Sequence, residues 1–154
     1  SMLCAEMVCY YTYIGKTVWG RLQELYKMYG YVLDVNVSTQ YSGLNAMKEM
    51  NAVVDGLKKI TVRELADFPV VATRDYSADV RTETATGKKE PLGIPKCNCV
   101  YYELQGGSFV CIRPSGTEPK LKVYYSVRAG DECEAECKLI ELKAAVANLL
   151  AGEH

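Results

Sequence analysis

The sequence predicts an α+β domain of two layers, a mostly antiparallel sheet with helices on one face. Three observations predict it. Several short runs alternate apolar and polar residues at a period of two, as strands do. The later runs follow one another closely across hairpin-sized turns, which makes their pairing antiparallel. Amphipathic stretches of helical period flank these strands, each with one apolar face to cover the sheet.

The elements follow in order. Leu3, Met7, Tyr11 and Ile14 recur at helical spacing until Gly15-Lys16 break the run. The chain reads as beginning inside this helix. Thr17 is placed to cap a second helix, with Val18, Leu22, Leu25 and Tyr29 on one face and Gly30 as its stop. From Tyr31 the period changes: Leu33, Val35 and Val37 alternate with Asp34, Asn36 and Ser38. Ser42 precedes a helical run aligned on Met47, Met50, Val54 and Leu57, and Val62 and Leu65 fall in a short irregular piece. Residues 69–74 read as a strand, with Pro69 at its start, where a missing donor costs least.

Residues 75–96 are polar, contain Gly87 and Gly93, and carry Pro91 and Pro95 near their end. They are expected to form a long, exposed, mobile loop. Strands are expected at 98–104, 108–113 and 121–127, with Gln105-Gly106-Gly107 turning between the first two. Asp131, with Glu134 at the capping-box position, opens a final helix. Ala135, Leu139, Leu142, Val146 and Leu149 mark its core face, and Gly152 ends it.

Composition excludes several function classes. The chain has 154 residues, 49% of them hydrophobic, with 18 basic and 19 acidic side chains. That balance gives no global reason to bind nucleic acid or a membrane surface, so any anion binding is local. No apolar run approaches membrane-spanning length. The seven cysteines include no Cys-x-x-Cys pair and the only histidine is His154, so no metal site is expected. The cysteines are expected to be small buried hydrophobes in a reducing, cytoplasmic setting. Without an interior histidine no Ser-His-Asp arrangement is available, and no catalytic residue is assigned. Twelve tyrosines invite an RNA-stacking reading. Adjacent ones such as Tyr101-Tyr102 and Tyr124-Tyr125 face opposite ways on a strand, however, so core and rim packing is the better account.

One stretch concentrates groups suited to an anion. Arg113 presents a planar fork matching two phosphate oxygens, and Ser115 and Thr117 offer hydroxyls. Gly116 permits positive φ and close backbone approach, so successive amides around it are expected to form an anion nest. Pro114 and Pro119 stiffen the loop, and Lys120 and Lys122 add positive potential at its exit. By residue type alone, a polar strand connection and a phosphate site fit about equally well.

Arg113-Pro114-Ser115-Gly116-Thr117-Glu118-Pro119-Lys120-Leu121-Lys122 resembles the signature of the C-terminal domain of the phosphohexomutases, the phosphoglucomutase/phosphomannomutase family. The flanking Gly107 to Ile112 and Val123-Tyr124-Tyr125 resemble that family's strands. Gly15-Lys16-Thr17 and Glu24 to Tyr31 resemble the junction between its third and fourth domains. The resemblance implies a TATA-binding-protein-like fold for residues 31–154, with residues 1–30 the last helices of the preceding domain. It implies an enzyme of four domains around a cleft. A phosphoserine on the first and a Mg²⁺ held by an aspartate loop on the second interconvert hexose 1-phosphate and hexose 6-phosphate through a bisphosphate. The fourth domain grips the substrate phosphate that does not move. By resemblance that clamp is Arg113, Ser115, Gly116 and Thr117, with Lys122 beside them.

The chain departs from the family pattern in lacking the Ser-His-Asn-Pro-like, Asp-x-Asp-x-Asp and Gly-Glu-x-Ser-Gly loops. It is therefore expected to be inactive alone and to bind no Mg²⁺ itself. Its partners would be a phosphorylated sugar, the other mutase domains and, through residues 3–14, a second copy. The alternative reading is a free-standing module that binds phosphorylated ligands without catalysis.

Overall fold

The computed structural model describes residues 1–152, so His154 lies outside them. Helix α1 (Met2–Tyr13) is followed by α2 (Val18–Tyr29), whose cap is Thr17, its hydroxyl accepting from the Gly20 N–H at 3.0 Å. Both fall where helical spacing places them. Neither contains a buried residue. The Tyr26 ring lies against Tyr31 with centroids 4.4 Å apart, where α2 hands over to the sheet.

Strand β1 (Tyr31–Gln40) forms one edge of the sheet. Next to it come β8 (Lys120–Ala129), β7 (Phe109–Pro114), β6 (Val100–Leu104), β3 (Phe68–Asp75), β4 (Val80–Glu83) and β5 (Lys89–Pro91). Every pair is antiparallel. The two-residue β2 (Glu64–Leu65) pairs with the start of β3. Between β6 and β7 the chain turns through Gln105–Gly107 with φ of 80° at Gly106 and 83° at Gly107, a backbone that glycine adopts without penalty. The Leu104 N–H donates to the Ser108 carbonyl at 2.9 Å and closes the turn.

Helices α3 (Ala46–Leu57) and α4 (Glu132–Ala151) share one face of this sheet. Met50, Val54 and Leu57 of α3 and Leu139, Leu142 and Val146 of α4 meet Val100, Tyr102, Val110, Ile112, Leu121, Val123 and Val127 in a single core. Each fully buried aliphatic side chain there contributes about 1.5–3 kcal/mol. Asp131 caps α4 by accepting from the Glu134 N–H at 2.9 Å. The Glu134 carboxylate reaches back to the Gly130 N–H at 2.7 Å, one residue earlier than an ideal capping box requires. Gly152 closes the helix in the left-handed conformation.

The tyrosine pairs divide as strand alternation requires: Tyr102 and Tyr125 enter the core, while Tyr101 and Tyr124 lie on the opposite face. That second face carries no helix of the core. It presents Asp34, Asn36, Arg74, Tyr101, Glu103 and Phe109.

Three expectations are corrected. Residues 75–96 are not one long loop, because β4 and β5 add to the sheet beside β3. The tie is electrostatic: Arg81 of β4 grips Glu103 of β6 through two 2.8 Å hydrogen bonds, across the intervening β3. Helix α3 starts at Ala46, and Met47 of the expected stripe is exposed, its place at the start of the buried face taken by Ala46. Nor are the cysteines generally buried. Cys4, Cys9, Cys97, Cys133 and Cys137 are exposed, because α1 packs no face and the two on α4 point away from its core stripe.

Candidate anion site

The Arg113 to Lys122 stretch sits at the end of the sheet where β7 turns into β8. Pro114 pairs with Leu121 and Arg113 with Lys122, so the strands stay laddered up to the loop. The Ser115 N–H then donates to the Lys120 carbonyl at 2.8 Å, and the Lys120 N–H to the Glu118 carbonyl at 2.7 Å. A third tie comes from outside the hairpin: the Tyr41 N–H, just past β1, donates to the Pro119 carbonyl at 2.8 Å. The loop is held on both flanks, and the stiffness expected from its two prolines is reinforced by these bonds.

Arg113, Lys122 and Ser38 occupy one rung across β7, β8 and β1, on the face away from the helices. Like charges directly opposite one another destabilise a sheet. Lys120 has its own carboxylate, Glu118, at 2.9 Å, and that contact holds the Glu118 carboxyl below its usual range. Arg113 and Lys122 have no such partner among the described residues. Two cations side by side without a carboxylate, with the Ser115 and Thr117 hydroxyls making no hydrogen bond among the described residues, form a place where an oxyanion would be stabilised. The amides of Gly116, Thr117 and Glu118 also find no acceptor within the described residues.

The nest expected around Gly116 does not form. No residue from 113 to 122 has positive φ, and the amide of Ser115 is spent on Lys120. Closure of the hairpin through β8 and Tyr41 makes a left-handed residue unnecessary. A Cβ at Gly116 would meet open space, so its lack of a side chain leaves room above the loop rather than relieving a clash.

The structure brings together all five residues singled out in sequence: Arg113, Ser115, Gly116, Thr117 and Lys122 lie on one hairpin. It also brings in two that the sequence reading missed. Ser38 and Tyr41 come from a chain segment some eighty positions away, and no local pattern announces that β1 pairs with β8. Two strand positions further along β7 and β8, a concavity of about 450 Å³ opens between Asp34, Asn36, Phe109, Tyr124 and Arg128. Among the described residues no three His, Cys, Asp or Glu side chains converge into a group that could hold a metal ion.

The fold is an antiparallel α+β domain in which Arg113 and Lys122 share a rung beside a loop held on both flanks. Comparison with known proteins gives the family: residues 49–144 match the phosphoglucomutase/phosphomannomutase C-terminal domain, and the chain belongs to that family. A phosphoglucomutase of Staphylococcus haemolyticus is 32% identical over 113 residues, covering 73% of this chain and 20% of that protein. A phosphoglucomutase of Staphylococcus aureus (strain bovine RF122) is 30% identical over 114 residues, covering 74% and 20%. The chain therefore spans about a fifth of the length of these curated relatives. Among solved structures, the open form of pp63/parafusin, a phosphoglucomutase from Paramecium, gives a TM-score of 0.49 at 11% identity, covering 86% of this chain and 23% of that one. No helix among the described residues is long and apolar enough to cross a membrane.

Proposed function

We propose that this chain serves as the phosphate-binding domain of a cytoplasmic phosphosugar mutase that interconverts hexose 1-phosphate and hexose 6-phosphate. The observation that carries the proposal is the Arg113–Lys122 rung, two adjacent cations without a carboxylate, in a chain of the mutase C-terminal family. Arg113 offers two parallel N–H donors to a phosphate, Lys122 adds a point charge, and Ser115, Gly116 and Thr117 supply hydroxyl and amide donors. Together they hold the phosphate that stays in place while the other is transferred.

The transfer itself, through a phosphoserine and a bisphosphate intermediate, belongs to other domains of the mutase, as does the loop that holds Mg²⁺. That ion supplies charge neutralisation of the phosphoryl group when bound there. The chain alone is inactive in this reading. Residues 1–30 are the terminal helices of the preceding domain and residues 31–154 are the phosphate-binding domain. The absence of any buried residue in α1 or α2 supports that division. Taken by itself, the chain offers the apolar residues 3–14 to a second copy.

The test is Arg113→Ala in the intact mutase. Loss of a charge-assisted contact of about 1.5–3 kcal/mol lowers kcat/KM by roughly ten- to a hundredfold or somewhat more, with folding unchanged. Wild-type efficiency in the variant would remove Arg113 from the clamp.

A further inference from the structure

Two thiols that the sequence separates meet on the open face of the sheet. Cys99 lies just before β6 and Cys111 lies in β7, and their Sγ atoms are 3.3 Å apart. Neither is in a disulfide. Cys111 faces Tyr101 across the β6–β7 ladder, so the Cys99 contact is a diagonal one, between a strand and the irregular segment leading into its neighbour. The Cys99 backbone is anchored there, its carbonyl accepting from the Tyr76 N–H at 3.1 Å.

The two sulfurs differ in ways that matter for exchange chemistry. Cys99 is buried at 5% exposure, whereas Cys111 is half-buried. The hydrogen bond from Cys99 holds the Cys111 thiol below its ordinary range, against burial and with help from the nearby Arg113 charge. The same contact, with burial, raises Cys99. A half-buried sulfur biased toward thiolate beside a more deeply buried thiol is the arrangement of an attacking and a resolving cysteine.

We propose that Cys99 and Cys111 form a reversible thiol–disulfide pair whose substrate is a low-molecular-weight disulfide of the glutathione type. The Cys111 thiolate attacks one sulfur of the small disulfide. Its S–S bond breaks, one small thiolate leaves and takes up a proton, and a mixed disulfide forms at Cys111. Cys99 then releases its proton to solvent and attacks the Cys111 Sγ, displacing the second small thiolate, which is protonated in turn. Two protein thiols are oxidised and one small disulfide is reduced to two thiols. The protein sulfurs must close from 3.3 Å to about 2.05 Å, a displacement of little more than an ångström. This chemistry does not depend on the phosphate reading, although the bond would form two residues from Arg113 on the same face of β7.

The test incubates the protein in glutathione buffers of graded oxidised-to-reduced ratio and blocks remaining thiols by alkylation. Chymotryptic peptides are then mapped by mass-spectrometric fragmentation: cleavage at Tyr101, Tyr102 and Phe109 separates Cys99 from Cys111, and backbone fragmentation at Asn98 tells Cys97 from Cys99. The expected result is a loss of two hydrogens with one Cys99–Cys111 cross-link, reversed by excess reduced glutathione. The Cys99→Ser variant is expected to stop at a glutathione adduct on Cys111. The proposal is overturned if Cys97 takes the place of Cys99 in the cross-link. It is equally overturned if adducts gather on Cys4, Cys9, Cys133 and Cys137 while Cys99 and Cys111 stay reduced. The wild-type mapping decides the matter even where a variant folds poorly.

Discussion

Glu103 accepts from two arginines more than twenty positions before it in the chain, Arg74 and Arg81. Arg74 Nε lies 2.5 Å from its Oε1, and Arg81 donates to both oxygens at 2.8 Å. The Arg81 bond is the chief cause that holds the Glu103 carboxyl below its usual range, while burial opposes it. A depressed folded-state pKa contributes stability that is present above the unfolded value, about 4.3, and is lost as pH falls through the folded value. At neutral pH, Glu103→Gln is expected to cost about 1–2 kcal/mol, discounted because all three side chains are partly exposed. In urea unfolding the gap between wild type and variant should shrink as pH drops below about 4. A gap independent of pH would assign the loss to packing instead. Gly116→Ala is the complementary probe. With no positive φ and no neighbour for the new Cβ, the folded state accommodates it without strain. The melting temperature should hold or rise slightly, corresponding to no more than about 1 kcal/mol. A marked fall in thermal unfolding would mean that the loop needs glycine for its own backbone.

Helix α4 and the β4–β5 hairpin mark the two ends of legibility among the elements. The α4 stripe from Ala135 to Leu149 is buried at all five positions that periodicity selects, and Asp131 caps it. Asp131→Ala should cost about 1 kcal/mol in chemical denaturation, and an Asn at the same site should restore most of it. An equal loss in both variants would show that charge, rather than the accepted bond, matters at that end. The segment Val80-Arg81-Thr82-Glu83 is short and largely polar on both faces, so no local period marks it as a strand. Its conformation comes from β3 alongside and from Arg81 reaching Glu103. Arg81→Ala should therefore speed amide exchange in β4 and β5 while leaving β7 and β8 protected. Unchanged protection across the hairpin would mean that the backbone ladder alone holds it.

At the scale of the molecule, one core serves α3, α4 and the sheet, while α1 stands outside it with Leu3 79% and Tyr13 89% exposed. Such a run of apolar surface tends to find a partner. Sedimentation of the chain at increasing concentration should show reversible self-association, abolished by Leu3→Lys with Met7→Lys. A monomer at every concentration would leave residues 3–14 without a role in assembly. The loop that suits an anion is built on the same large scale, because three strands contribute to its rung and its ties.

The sequence by itself determined the antiparallel α+β plan, the long helices, the strands that line the core and the hairpin carrying Arg113 to Lys122. Each of these is encoded by a local period, because burying one face of an element against one layer repeats along that element. Only the tertiary structure decided that β4 and β5 extend the sheet, that Ser38 and Tyr41 flank the loop, that Gly116 keeps an ordinary backbone, and that Cys99 meets Cys111. Ser38 and Tyr41 reach the loop only because β1 pairs with β8 across most of the chain, and the other three depend on register between neighbouring strands, which is set by the pairing of whole strands rather than by the residues it brings together.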